Sequence, residues 1–198
     1  MDALLEPPSD FSLRVPVVTR AAGTYYRVHQ SRYGALYFDR APSYRFNAPA
    51  GEYGILYMSE APEGAFAEAL LGGRSRPPTL SQGALQSRAL TELGWRELVL
   101  ADFTGLGLTA LGLDARISSS DCYPLCQRWA SWIHAHPLKV DGICYFARNA
   151  PHLRSVALFD RAGMPRATTM LEPTLLVRPG LLAPWGRKFV SAFDVAIV

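Results

Sequence analysis

Three residues of chemically useful types are spaced along the first third of the chain. Arg27 lies in the aromatic segment YYRVHQ (25–30), Tyr57 ends the run GILY, and Glu68 lies in AFAEAL (65–70). An arginine is a planar donor for phosphate, and a tyrosine ring can stack on a planar group. A fixed carboxylate can stabilise an oxocarbenium-like ribosyl cation or orient the nucleophile that attacks it. The three types together suit a site that binds a dinucleotide and cleaves or transfers its ribose bond.

Each of these residues also has an ordinary explanation. Arg27 could point to solvent from an edge strand or form a structural ion pair, as most arginines do. Tyr57 could be a half-buried strand residue, and Glu68 could be a solvated glutamate on a helix. Taken singly, each residue favours the ordinary explanation, so the hypothesis of a site depends on their combination.

Three further polar residues accompany them. His29 follows Arg27 by two positions and shares its face of the predicted strand. Arg45 and Asn47 lie in YRFNAP, a segment rich in turn-forming residues, where they could donate to phosphate or ribose hydroxyls. A structural or surface role for His29 and turn stabilisation by the other two are the alternatives.

The elements that would position these side chains can be predicted from local patterns. Residues 25–29 alternate and are rich in aromatic side chains, which favours a strand, and 55–58 form a short second strand. Between them, 32–54 contain many glycine, proline, asparagine and tyrosine residues, which indicates a structured loop. A helix is expected from about Pro62 until the glycine pair at 72–73 ends it.

The rest of the chain predicts a mixed α+β fold with flanking helices. The clearest amphipathic helix is Tyr123–His136, and the segment 84–93 is ambiguous between helix and strand. GLGLTALG (105–112) is glycine-rich but is expected to follow a turn rather than open a helix onto phosphate, so a Rossmann site is not predicted. Further strands are expected at 97–102, 142–147 and 155–159 and near 175–177 and 189–195.

Composition excludes several classes of protein. The 198 residues, 49% apolar and 19% charged, predict one packed domain with a net charge of +3. Nearly all of the positive charge is arginine, which suits a small anionic ligand. No run of five basic residues and no apolar run of 18 residues occurs, so neither direct nucleic-acid binding nor a membrane span is expected.

The cysteines predict a reducing compartment rather than a disulfide framework. Cys122, Cys126 and Cys144 are odd in number and follow no pairing pattern, and no signal peptide precedes them, so we expect a cytoplasmic protein. The spacing of the first two cysteines to His134 and His136 matches no common zinc pattern, so no metal is expected.

Taken in order, these segments resemble the RES domain family, named for an arginine, a glutamate and a serine. The resemblance covers roughly 24–161, with 1–20 as an N-terminal arm and 162–198 as a C-terminal extension packed on one domain spanning 1–198. The segments that carry it are YRVHQSRYGALYF, YRFNAPAGEYGILYMSEAPEGAFAEAL, RELVLADFTGLGLTALGLDARISSSD, YPLCQRWASWIH, DGICYFAR and VALFDR.

The resemblance implies a split, mixed α+β sheet similar to the diphtheria-toxin type of ADP-ribosyltransferase, with NAD as substrate in the cleft and no metal. It implies a bacterial toxin of a type II toxin–antitoxin pair that consumes NAD by phosphorolysis, hydrolysis or ADP-ribosyl transfer. Inorganic phosphate and an Xre-type helix-turn-helix antitoxin are the implied partners.

The resemblance also implies roles for individual residues. Arg27 would be the family arginine at the NAD phosphates or ribose, Tyr57 the tyrosine against the nicotinamide end, and Glu68 the family glutamate. Arg45 would help to hold the substrate. His29, Asn47 and Arg148, the last of these at the end of DGICYFAR, complete the predicted binding residues.

One position departs from the family pattern. The late strand of the family often has a serine two residues after its tyrosine, whereas this chain has Ala147 after Tyr145. The missing hydroxyl removes one hydrogen bond, on the order of 1 kcal/mol. The alternatives are therefore an active NAD-degrading toxin, a weak or inactive domain that binds a nucleotide or a partner, and a hydrolase of another dinucleotide.

Overall fold

The computed structural model of the chain describes residues 4–72, 77–162, 167–178 and 181–198. Its strands are β1 (Val17–Arg20), β2 (Gly23–Gln30), β3 (Ile55–Ser59), β4 (Thr79–Leu80), β5 (Arg88–Trp95), β6 (Leu98–Phe103), β7 (Gly142–Ala147), β8 (Ala150–Phe159), β9 (Thr169–Met170), β10 (Thr174–Leu175), β11 (Val177–Arg178), β12 (Leu181–Leu182) and β13 (Ala196–Ile197). Its helices are α1 (Pro62–Leu70), α2 (Gln82–Gln86), α3 (Gly105–Ala110), α4 (Arg116–Ser119), α5 (Tyr123–Ala135) and α6 (Pro184–Ala192).

One nine-stranded sheet organises the chain. Its order is β1-β6-β7-β8-β3-β2-β5-β10, with β9 also paired to β5. Among the described strands of this sheet only β6 and β7 run parallel to each other, and α3, α4 and α5 form the crossover between them. The predicted mixed α+β class is confirmed, and two small two-stranded sheets, β11-β12 and β13-β4, accompany the main one.

The sheet is split between β2 and β3. These strands pair at Tyr26 and Ser59, whereas β2 pairs with β5 over its full eight residues. The long segment between the two strands is irregular apart from a bridge between Asp39 and Ile55. The predicted loop and both predicted strands are thus present, and the loop covers the region where the sheet opens.

The start of the helix that carries Glu68 is determined by a proline, and its position is determined by the packing of its apolar face. Pro62 occupies the first turn of α1, where a missing N–H costs nothing, and Ala61 before it is extended. Phe66 is fully buried and stacks on Phe189 of α6 at 4.7 Å between ring centroids. Of the predicted stop signal, Gly72 follows the helix and Gly73 lies outside the described residues.

The central strands of the sheet are buried because their side chains are mostly apolar. β7 and the second half of β8 are buried on both faces, as expected for strands inside a covered sheet. One face packs on α5 through side chains such as Trp129 and Ile133, which confirms the predicted amphipathic helix. Within the described part of the chain, no helix is long and apolar enough to cross a membrane.

The predicted strand near 189–195 is wrong. Residues Pro184–Ala192 form α6, and only Ala196–Ile197 extend as a strand. A proline in the first turn starts the helix, and Phe189 is then fully buried between the rings of Phe66 and Trp185. Tertiary packing of this apolar face outweighs the local preference of aromatic and β-branched residues for strands.

Three smaller features also bear on the predictions. The N-terminal arm is held against α5, since the indole N–H groups of Trp129 and Trp132 donate to the carbonyls of Leu5 and Asp10, both at 2.8 Å. The glycine-rich segment does open a helix, the six-residue α3. The ambiguous segment 84–93 divides between helix α2 and strand β5.

Candidate active site

A cleft of about 230 Å³ lies where the sheet splits, between β2, β3 and α1. It is lined by four arginines, two acidic residues and six tyrosines, together with His29 and Ser155. The arginines are Arg27, Arg45, Arg88 and Arg148, the acidic residues are Asp39 and Glu68, and the tyrosines are Tyr33, Tyr37, Tyr44, Tyr57, Tyr123 and Tyr145. Cations outnumber acids at its wall, so the cleft suits an anionic ligand with planar groups.

Glu68 is held in the cleft by two donors from a neighbouring strand and turn. The hydroxyl of Tyr145 donates to its Oε2 at 2.8 Å, and the backbone N–H of Arg148 donates to its Oε1 at 2.8 Å. Burial raises the pKa of Glu68, while these hydrogen bonds and the charges of Arg45 and Arg148 act in the opposite direction. The result is a carboxylate fixed in position by groups that stabilise its charged form.

Arg27 lies in the split itself. Tyr25, on the same face of β2, packs in the core cluster of Leu56 and Met58, whereas Val28 packs in a different cluster, so the predicted alternation is confirmed. The guanidinium donates to the carbonyl of Ala35, and burial lowers its pKa to about 10. It therefore stays protonated at neutral pH. None of the described ion pairs involves it, which leaves a half-buried cation able to bind an anion.

Tyr57 and Asn47 form one hydrogen-bonded unit. The Tyr57 hydroxyl donates to Oδ1 of Asn47 and accepts from the backbone N–H of Phe46, both at 2.9 Å. Asn47 also donates to the carbonyl of Ala41 and is fully buried. Tyr57 lines the cleft, but Asn47 does not. The structure thus assigns Asn47 to holding the loop and Tyr57 in place, which is the turn-stabilising alternative raised above.

Arg45 is anchored from the crossover segment. Its guanidinium donates to the carbonyl of Ser120 and to Sγ of Cys126 at 3.8 Å, and it lies 4.9 Å over the ring of Tyr123. The side chain is buried and lines the cleft. Burial raises the pKa of both Tyr57 and Glu68, and the positive charge of Arg45 opposes that rise at each of them. Arg45 therefore contributes a positive field beside the carboxylate.

His29 lines the cleft but has both ring nitrogens engaged within the protein. Nδ1 lies 2.9 Å from the carbonyl of Gln30, and Nε2 lies 2.9 Å from the hydroxyl of Thr91. Because a carbonyl only accepts, Nδ1 carries the hydrogen and Nε2 accepts from Thr91. Burial lowers the pKa of the imidazole, so the ring is neutral at pH 7. These contacts favour a structural role for His29.

Arg148 contributes through its backbone as well as its side chain. Its N–H holds Glu68, and its guanidinium pairs with Asp121 at 2.6 Å. Asp121 is half exposed, so this ion pair is accessible to solvent. Arg148, which only the family resemblance indicated, thus makes one contact through its backbone and another through its side chain.

Two features of the cleft were not anticipated from the sequence. Arg88 begins β5 opposite Gln30, and its buried Nε has no hydrogen-bond partner among the described residues. Tyr33 and Tyr37 stack on each other at 5.0 Å between centroids and remain nearly half exposed at the cleft. An arginine in a segment of ambiguous structure gave no local signal, but the pair of tyrosines in RYGALYF could have suggested an aromatic platform.

Ala147 does not line the cleft. It is fully buried and packs in an apolar cluster that includes Phe66 and Ala67 of α1. The strand irregularity between Phe146 and Ala147 precedes the turn that presents the Arg148 N–H to Glu68. The position that departs from the family pattern is therefore a packing position in this chain.

The described part of the chain contains no group of three or more His, Cys, Asp or Glu residues that could hold a metal ion. Cys126 and Cys144 are buried thiols, and burial raises the pKa of both. Cys122 is exposed. Two carboxylates, four guanidinium groups and several hydroxyls line the cleft.

Comparison with known proteins identifies the family. The family model described as the RES domain matches residues 24–176, well over half of the chain. The chain belongs to the RES domain family. The match extends beyond the predicted limit of 161 to include β9 and β10, both of which pair with β5 of the main sheet. No curated protein matches the chain by sequence.

A solved structure shares the fold. A chain of the crystal structure of the M. tuberculosis MbcT–MbcA toxin–antitoxin complex is similar, with a TM-score of 0.55 and 16% sequence identity. The likeness covers 76% of this chain and 83% of that chain. At this identity the likeness shows a shared fold, and the mixed sheet with flanking helices agrees with it.

Proposed function

We propose that this RES domain binds NAD in its cleft and cleaves the bond between nicotinamide and ribose. The observation that carries the proposal is Glu68, a carboxylate held by the Tyr145 hydroxyl and the Arg148 N–H in a cleft lined by arginines. A fixed negative charge is what a developing ribosyl cation requires. Family membership and the shared fold support an enzyme at this cleft.

The arginines indicate where the diphosphate would lie. Arg27 of β2 and Arg88 of β5 both line the cleft, and none of the described ion pairs involves either of them. The buried Nε of Arg88 is a donor without an acceptor among the residues that the structure describes, and a phosphate oxygen would supply that acceptor. We therefore assign the diphosphate to these two residues, with Arg45 supplying further positive charge nearer Glu68.

The tyrosines indicate where the two rings of NAD would lie. Tyr33 and Tyr37 form a stacked, half-exposed platform suited to the adenine. The ring of Tyr57 contacts the ring of Tyr44 edge to face, with 6.1 Å between the centroids. Burial raises the pKa of Tyr57, and the nearby charge of Glu68 adds to that rise, so Tyr57 lies close enough to the carboxylate to suit the nicotinamide end. This order places the ribose bond beside the carboxylate and the phosphates between the two aromatic regions.

The reaction itself needs little beyond charge stabilisation and positioning. The C1′–N1 bond breaks, its electron pair returns to the pyridinium nitrogen, and neutral nicotinamide leaves. Glu68 stabilises the positive charge that develops at C1′. Water, phosphate or a protein side chain then forms the new bond at C1′, and water or a hydroxyl loses its proton in doing so. Phosphorolysis, hydrolysis and ADP-ribosyl transfer differ only in this second partner.

We further propose that the chain is the toxin of a bacterial toxin–antitoxin pair and acts in the cytoplasm. Its family and its likeness to a chain of the MbcT–MbcA complex support this. An Xre-type helix-turn-helix antitoxin is the partner we expect. A gene for such a small protein next to this one, and rescue of growth on co-expression, are the observations that test the pairing.

The competing proposal is a domain that binds a nucleotide or a partner without turnover. It is motivated by Ala147, but that side chain packs against α1 and does not line the cleft. Calorimetric titration with NAD, combined with measurement of NAD remaining after incubation with and without phosphate, separates the two. Binding with depletion supports the enzyme. Binding without depletion at high protein concentration supports the competing proposal, and no binding contradicts the proposed NAD cleavage.

A further inference from the structure

Ser155 places a buried hydroxyl in the cleft that has no hydrogen-bond partner in the described part of the chain. It lies in β8, its side chain is 1% exposed, and its Oγ has no hydrogen-bond partner among the described residues. It also lines the cleft. A buried hydroxyl without a partner weakens folding, so its presence calls for a reason other than stability.

The strand register shows why the neighbours of Ser155 leave it unpaired. Its Cα partners are Tyr145 on β7 and Ser59 on β3, and cross-strand partners project from the same face of a sheet. The Tyr145 hydroxyl is committed to Glu68, and the Ser59 hydroxyl donates to the carbonyl of Arg154 at 2.8 Å. Ser155 thus lies on the sheet beside the Tyr145–Glu68 pair, with its own hydrogen-bonding capacity unused.

We propose that Ser155 is a ligand-binding residue of this cleft. Its hydroxyl would hydrogen-bond a neutral polar group at the nicotinamide–riboside end of the substrate, either a ribose hydroxyl or the carboxamide. The inference depends on the proposed function, because it takes the substrate to be NAD. It also explains how the cleft supplies a hydroxyl although Ala147 occupies the family's serine position, on the adjacent strand.

Two matched variants separate this role from a structural one. Ser155→Ala removes a hydroxyl that has no partner, whereas Ser59→Ala removes an equally buried hydroxyl that has one. The measurements are the thermal midpoint without ligand, the calorimetric Kd for NAD and the KM for nicotinamide release. Ala147→Ser is the third variant, because its new hydroxyl would lie among apolar side chains outside the cleft.

We expect Ser155→Ala to keep or raise the thermal midpoint and to bind NAD about tenfold more weakly, as the loss of one hydrogen bond implies. Ser59→Ala should lower the midpoint and leave the affinity for NAD unchanged. Ala147→Ser should not restore binding to Ser155→Ala. If the wild type binds NAD and Ser155→Ala binds it equally well, the role of Ser155 is overturned while the proposed function stands. If the wild type binds no NAD, both are overturned.

Discussion

Tyr145 and Glu68, 77 positions apart in the sequence, are joined by a hydrogen bond of 2.8 Å from the phenolic hydroxyl to Oε2. Tyr145 belongs to a strand in the middle of the sheet, and Glu68 belongs to the helix that covers its split. Burial raises the pKa of both groups, and each affects the other. The bond therefore fixes both the position and the charge of the proposed catalytic carboxylate.

Replacing Tyr145 with phenylalanine should change the pH dependence of the reaction. The hydrogen bond from Tyr145 lowers the pKa of Glu68 against the effect of burial, so its loss raises that pKa. Activity requires the ionised carboxylate, and the acidic limb of the kcat/KM profile should therefore move to higher pH. A profile measured by nicotinamide release checks this, and an acidic limb that stays in place would show that Glu68 is not the titrating group.

Glu68→Gln should remove activity without unfolding the protein. Loss of the stabilising charge should lower kcat by about 100- to 1,000-fold. Because burial raises the pKa of Glu68 in the folded chain, the folded state favours the protonated form, and ionisation weakens folding as pH rises through that window. The neutral glutamine avoids this effect, so the thermal midpoint at pH 7 should not fall.

Glu63→Gln on the same helix is the matched control for that variant. Glu63 pairs with Lys188 at 2.8 Å and does not line the cleft. The Glu63→Gln variant should therefore retain wild-type turnover. Equal loss of activity in both variants would assign the effect to α1 as a whole rather than to the carboxylate in the cleft.

Replacing either of two cleft arginines should weaken the binding of NAD. Arg27→Ala and Arg88→Ala should each raise the KM for NAD by about 10- to 100-fold, because each removes a guanidinium donor to phosphate from the cleft. Arg178→Ala, which removes an exposed arginine of β11 that does not line the cleft, is the control. Steady-state kinetics at fixed ionic strength measure the effect. A KM that is unchanged in both cleft variants would contradict the assignment of the diphosphate to Arg27 and Arg88.

Tyr57→Phe should reduce stability as well as activity. The substitution leaves the N–H of Phe46 and Oδ1 of Asn47 without their shared partner, at a cost of about 1–3 kcal/mol in the free energy of unfolding. Tyr53→Phe is the comparison, because the Tyr53 hydroxyl makes only long contacts of 3.3 and 3.4 Å and does not line the cleft. Urea denaturation should show the larger loss for Tyr57→Phe, and equal losses would contradict the assignment.

Local sequence patterns were sufficient for the elements around the site. Alternation placed Arg27 on a strand, and the proline at 62 with the apolar spacing after it placed Glu68 on a helix. They failed for α6, where burial of Phe189 against Phe66 decides the structure. That contact joins residues more than a hundred positions apart, so no local pattern could reveal it.

Local patterns also could not reveal all the residues of the candidate site. The pairing of β2 with β5 brings Arg88 opposite Gln30, and the pairing of β8 with β7 brings Ser155 beside Tyr145. Neither residue stood in a recognisable motif, because its role depends on strand register rather than on spacing. Asn47 shows the converse, since its motif pointed to the ligand, whereas its side chain contacts Ala41 of the loop and Tyr57 of β3.

The most direct test of the proposed NAD cleavage is the release of nicotinamide, quantified by mass spectrometry after incubating purified protein with NAD. Parallel samples contain water alone, phosphate, or a protein acceptor mixture, and the ribosyl product is identified in each. We predict stoichiometric formation of nicotinamide and an ADP-ribosyl product by the wild type and a loss of at least a hundredfold with Glu68→Gln. Intact NAD with the wild type under all three conditions, or equal turnover by Glu68→Gln, would contradict it.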